Sequence, residues 1–234
     1  MNPEPLILAE PESPFWGFGE VFMMMAVYVI AGFLVVNGTA GMLHGMARFG
    51  YVQVAEQFAA YLIIFGVIKV LFFWAGRPLR RSLGWVPQPF SPVTLLTLGL
   101  ALSVFSAVLL IIFRTPEIRT PFEKLMSDST ISRIAIAVFG VTIGPIIEEL
   151  LFRGFIQPVM TSAIGVFPGI LLTSLLFGGL HLVQNAWLWQ SGAIITLAGF
   201  AFGVVRHVSG STKASSLVHI GYNCLPFVLT FFQK

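Results

Sequence analysis

Between Val93 and Phe113 the chain runs for 21 residues without a charged side chain. A helix needs roughly 20 apolar residues to cross the hydrocarbon core of a bilayer. Inside lipid no water is available to the backbone, so a spanning segment must satisfy its own N–H and C=O groups, which a helix does. Further apolar runs follow the same logic: Val21 to Val36, Phe58 to Ala75, Ile134 to Met160, Val166 to Leu182, Gly192 to Val205 and Leu217 to Phe232. Lys69 lies close enough to the end of its run for its ammonium to reach the interface. Ile134 to Met160 is too long for one span, which predicts two helical pieces or a kink near Pro145. The total is seven or eight helices. The runs are continuous rather than alternating, which argues against a β-barrel.

Composition agrees. Of 234 residues, 56% are hydrophobic and only 10% charged, and the mean hydropathy is +0.89. Soluble domains are about 25% charged, and a water-soluble chain of this length could not bury so much apolar surface. The predicted class is therefore all-α: one polytopic transmembrane helix bundle. It divides into a polar N-terminal leader (1–18), N-terminal transmembrane helices (19–113) and a helical core (118–232). The leader lacks the basic start of a signal peptide. The net charge of +3 sits on scattered basic residues, as in loops facing lipid headgroups rather than nucleic acid. Arg77, Arg80 and Arg81 favour a cytoplasmic loop after the second span, but the polar stretch Arg114 to Arg133, read as a surface loop with one amphipathic turn, carries four basic residues of its own, so the two indications of orientation conflict. The single cysteine, Cys224, excludes an intramolecular disulfide and a cysteine-built metal site.

Three charges interrupt the apolar run 134–160: Glu148, Glu149 and Arg153. Each costs about 2.5–3.5 kcal/mol at a helix centre, so uncompensated they would cost on the order of 8–10 kcal/mol together. They must pair or face a wet cavity. Glu149 and Arg153 are spaced i, i+4 and share a helix face. Glu148 is about 100° away around the helix and points elsewhere.

Four histidines occur. His44 lies in a loop and His207 at a helix end, whereas His181 and His219 lie in or beside apolar runs. Phe177 precedes His181 by four residues and Asn223 follows His219 by four, so each pair shares a face. Three helices thus bring polar groups inward. Carboxylate with imidazole suits either metal coordination or general-base chemistry on water, and an Asn amide can donate to a developing oxyanion. Taken singly, each residue has a structural reading, as an ion pair, a hydrogen-bonded histidine or helix-packing glue.

In order, the motifs read Glu148-Glu149-Leu-Leu-Phe-Arg153, with Gly154 following, then Phe177-Gly-Gly-Leu-His181, then His219-Ile-Gly-Tyr-Asn223. With spacings of about 28 and 38 residues, this series over roughly residues 118 to 232 resembles the CAAX protease and bacteriocin-processing (CPBP, Abi) family. The resemblance implies an eight-helix bundle with a water-filled cavity opening into the membrane, and hydrolysis of peptide bonds in membrane-embedded or lipid-proximal substrates. It implies catalytic roles for Glu148 as general base, His181 and His219 on the water, and Asn223 on the oxyanion, supported by Glu149, Arg153 and Phe177. It leaves open whether Glu148, His181 and His219 ligate Zn2+ or another divalent metal or work without one. The expected location is a membrane, in a bacterial source the inner membrane.

Two other classes use the same residue types. A proton- or ion-coupled transporter would place Glu, Arg and His in the membrane, but no inverted repeat is visible. A non-catalytic scaffold of the same fold would retain the helices without the chemistry.

Overall fold

A computed structural model describes residues 14–43 and 50–232. The leader is therefore described only from Pro14 onward, and His44 lies outside the described residues. Within them the chain is helical throughout, with no strand.

The elements in order are α1 (Phe18–Leu43), α2 (Gly50–Trp74), α3 (Leu79–Ser82), α4 (Pro92–Ile112), α5 (Pro121–Ser127), α6 (Thr130–Val141), α7 (Ile143–Glu149), a π-helical segment (Leu150–Ile156), α8 (Gln157–Ile164), α9 (Val166–Leu180), α10 (Trp189–Ser209) and α11 (Thr212–Leu229). Five stretches are long and apolar enough to cross a membrane: Phe18–Ala40, Gly50–Trp74, Pro92–Ile112, Thr130–Ile164 and Trp189–Ser209. This is an integral membrane protein. The seven or eight spans expected from sequence are not all of that length. α9 is apolar but has 15 residues, and α11 opens on Thr212, Ser215 and Ser216, which are buried in protein.

Local chemistry sets the boundaries. Pro92 occupies the first turn of α4, where its missing N–H costs nothing. Gly210, at φ +67°, ends α10 in the left-handed region. Ser211 then caps α11 by accepting from the Lys213 N–H. The apolar run from 134 to 160 breaks at Thr142, whose backbone leaves the helical region at φ −130°, ψ −87°. The helix resumes with Pro145 in the first turn of α7, where a proline is tolerated. The predicted interruption near Pro145 is thus present, three residues upstream of the ring.

The polar stretch 114–133, read as a surface loop with one amphipathic turn, holds a seven-residue helix and the start of another. Residues 121–127 form α5, and α6 starts at Thr130. The cause is a capping box: Thr120 Oγ1 accepts from the Glu123 N–H at 3.2 Å, and Glu123 Oε2 accepts from the Thr120 N–H at 2.9 Å.

The core unites both halves of the chain. Ile64, Ile68 and Phe72 of α2 pack with Phe155 of the π segment, Phe177 of α9, Phe202 of α10 and Val218 of α11. Trp16 stacks on Phe155 at 5.3 Å and donates from Nε1 to the Phe155 carbonyl at 2.9 Å. α4 and α11 cross in intimate contact at Gly99 and Gly221, where a Cβ would collide with the carbonyls of Val218 and Leu96 respectively. Such close approach of small residues is how membrane helices gain packing energy without a hydrophobic driving force. The segment 83–86 is bonded to the start of α11, with Thr212 N–H donating to Gly84 O at 2.8 Å and Ser211 Oγ to Val86 O at 2.7 Å. Large apolar side chains such as Phe22, Phe33, Phe73 and Ile111 cover the outside. A water-soluble surface would not tolerate such a continuous apolar cover, but lipid solvates it.

Candidate active site

The site grows from the irregular stretch around residue 149. α7 ends on the two carboxylates and the helix widens at once into the seven-residue π segment. π turns are uncommon and often occur at functional sites. Gly154, within this segment, lies against the loop after α3, so close that a Cβ would stand 2.7 Å from the Leu83 carbonyl oxygen. The small residue after the motif arginine is therefore required by packing.

Glu148 and Glu149, adjacent in sequence, occupy different environments. Glu149 is wholly buried, whereas the Glu148 side chain keeps 22% of its surface and lines a cavity. Arg153, also fully buried, donates from Nη1 to Glu149 Oε1 at 3.0 Å and from Nη2 to the Gly199 carbonyl at 2.7 Å. Its guanidinium carbon is 4.6 Å from the Phe177 ring centroid, 5.4 Å from Phe202 and 5.8 Å from Phe152. A buried charge is tolerable only when paired and bonded in this way, and the aromatic faces add cation–π attraction.

The same Glu149 oxygen reaches α11, where it lies 3.1 Å from His219 Nδ1. A carboxylate only accepts, so Nδ1 carries the proton, and Nε2 is left to face Glu148 Oε2 at 3.8 Å. The His219 ring is held flat against Phe202, with centroids 4.5 Å apart at 22°, and edge-on to Phe177 at 5.7 Å. Glu149 therefore bridges the α7 carboxylates, the buried arginine and the α11 imidazole.

His181 stands at the C-terminal end of α9. Its Nδ1 is 2.8 Å from the Phe177 carbonyl, which only accepts, so this ring too is protonated on Nδ1 and turns Nε2 outward. Phe177 packs on the ring at 4.5 Å. The i−4 phenylalanine thus contacts Arg153, His181 and His219 at once. Asn223 donates from Nδ2 to the Gly140 carbonyl of α6 at 2.8 Å, which uses one of its two amide protons.

Glu148, His181, His219 and Asn223 all line one cavity of about 1650 Å³, and Glu149 and Arg153 lie behind it. One further residue joins them that the motifs do not mark. Tyr61 of α2 is almost wholly buried, lines the same cavity, and donates from its hydroxyl to Glu148 Oε1 at 3.4 Å. It is 87 residues away in sequence, and nothing local announces it.

Among the described residues no three His, Cys, Asp or Glu side chains converge closely enough to hold an ion. Glu148 and His219 supply only a pair, which His181 does not join within ligand distance. The set Glu148, His181 and His219 does not fit a metal as arranged.

No curated protein and no solved structure matches the chain. Residues 130–225 match the family model described as type II CAAX prenyl endopeptidase Rce1-like. The matched span runs from α6 into α11 and contains all three motifs, so the chain is similar to that family over this segment.

Proposed function

We propose that this protein is an intramembrane endopeptidase that hydrolyses peptide bonds of membrane-associated proteins or peptides with water activated by Glu148. The observation that carries this reading is the division of labour between neighbouring carboxylates: Glu149 is spent on Arg153 and His219, and Glu148 is left open to the cavity, 3.8 Å from His219 Nε2. A general base needs such access, within hydrogen-bond reach of the proton it removes.

In this account a water molecule lies between Glu148 and His219 Nε2. Glu148 takes its proton as the water oxygen attacks the scissile carbonyl carbon. The new C–O bond forms and the carbonyl oxygen becomes an oxyanion. The second amide proton of Asn223 meets that charge, as preorganised donors do in hydrolytic sites. The proton on Glu148 then passes to the amide nitrogen, the C–N bond breaks, and the amine leaves. His219, fixed by Glu149 and clamped by Phe202, orients the water. His181 lines the same cavity. No step is routed through a metal.

The test is cleavage of membrane-embedded peptides by the purified full chain in lipid bilayers. Wild type is expected to cleave, and Glu148→Ala to be inactive while folded. Equal cleavage by both would remove Glu148 from the reaction and end this reading.

A further inference from the structure

We propose that Tyr61 is a positioning residue for Glu148, which makes the N-terminal hairpin α1–α2 part of the catalytic apparatus. The inference rests on the endopeptidase reading above and deepens it. Residues 130–225 match the family, and Tyr61 lies outside that segment.

Glu148 is held at one oxygen and faces a second helix with the other. Tyr61 of α2 donates to Oε1 at 3.4 Å, and His219 of α11 faces Oε2 at 3.8 Å. A carboxylate on a free rotor spends most of its time misdirected, and a donor on one oxygen leaves the other aimed at its target. The ring that carries the hydroxyl has little freedom to move. The Tyr61 ring is 6% exposed, lying between Tyr28 at 6.4 Å and 24° and Phe139 at 6.4 Å and 11°. Ile64 and Ile68, one and two turns further along α2, are completely buried and lock the helix rotation that aims it. Phe139 belongs to α6, the helix whose Gly140 carbonyl holds Asn223. Tyr61 therefore contacts both the residue that acts as base and the helix whose carbonyl holds Asn223.

The hydroxyl also meets a physical need. Glu148 sits in an apolar helix and, unlike Glu149, has no arginine within bonding distance among the described residues. A charge so placed requires compensating donors, and the Tyr61 hydroxyl is one. Tyr28, which accepts from Gln57 Nε2 at 3.4 Å, continues the polar lining away from Glu148 along the same cavity wall.

Tyr61→Phe is the informative variant because it keeps the ring stack and removes only the oxygen. Glu148-dependent cleavage sites are first identified by terminal-peptide profiling of membranes, and a synthetic peptide spanning one site is then assayed with the full chain in bilayers. Tyr61→Phe is expected to lower kcat roughly tenfold with KM unchanged, the signature of an interaction that acts on the reacting group. In the Glu148→Gln background the same change is expected to have no further effect, since both residues act through one carboxylate. An infrared difference spectrum between wild type and Glu148→Gln isolates the Glu148 carboxylate band, and this band is expected to shift in Tyr61→Phe. Loss of cleavage in Glu148→Gln with wild-type kcat and an unmoved band in Tyr61→Phe overturns the inference and leaves the endopeptidase reading intact. Undiminished cleavage in Glu148→Gln overturns both.

Discussion

His219 Nδ1 and Glu149 Oε1 lie 3.1 Å apart, joining α11 to the end of α7 across 70 residues of sequence. The same carboxylate oxygen carries the Arg153 ion pair. One buried acid thus fixes both the tautomer of an imidazole and the charge balance of an arginine, and the acid beside it is left free.

Glu149→Gln should therefore be a stability mutant before it is an activity mutant. It strands the Arg153 charge at a position with no exposed surface, and breaking such a pair costs about 3–5 kcal/mol. Glu148→Gln leaves that network whole and should melt close to wild type. Thermal unfolding of the two variants in detergent separates them, and equal melting temperatures would contradict the assignment.

Arg153→Lys should not rescue. A lysine places one compact ammonium where the guanidinium bonds Glu149 and Gly199 from separate nitrogens and lies among three aromatic rings, and the two cations are not interchangeable at such a site. The expected loss is about 2–4 kcal/mol, read as a lower unfolding midpoint.

Much of this was legible in the sequence, and the remainder was not for physical reasons. Continuous apolar runs announce membrane helices because lipid removes every other option for the backbone. The i, i+4 spacing of Glu149 and Arg153 gives their pairing, and the 100° offset gives the separation of Glu148. Other features depend on distant contacts. Tyr61 meets Glu148 through tertiary packing of α2 on α6 and α7, and no window of sequence contains both. The π segment follows two carboxylates in a run with ordinary helical composition. Asn223 divides its amide between Gly140 and the cavity, a partner that spacing on α11 does not suggest. α5 is different: Thr120, Pro121 and Glu123 spell a capping box that the charge of the surrounding stretch obscured.

Gly221→Val should weaken the fold and the site together. The new side chain would drive into the Leu96 backbone where α4 and α11 cross, and α11 carries His219 and Asn223. Overpacking of this kind costs about 1–3 kcal/mol. Val replacement at the nearby lipid-facing Val228 position is already native, and Val228→Leu is expected to leave melting unchanged. A Gly221→Val protein with wild-type melting would mean that the crossing is looser than described.

Asn223→Ala should lower kcat by about 10²–10³, the usual cost of one oxyanion donor, with a smaller change in KM. Asn223→Asp removes the donor and adds charge, and should be no better. Steady-state kinetics on a cleaved peptide distinguishes this from a packing role, which would lower stability without that kcat loss.

The central claim is that Glu148 activates water for peptide hydrolysis. The most direct measurement is quantitative profiling of new N- and C-terminal peptides in membranes from cells expressing wild type or Glu148→Gln at matched levels. The account predicts cleavage ends present with wild type and absent with the variant. Identical profiles, with both proteins folded, would contradict it.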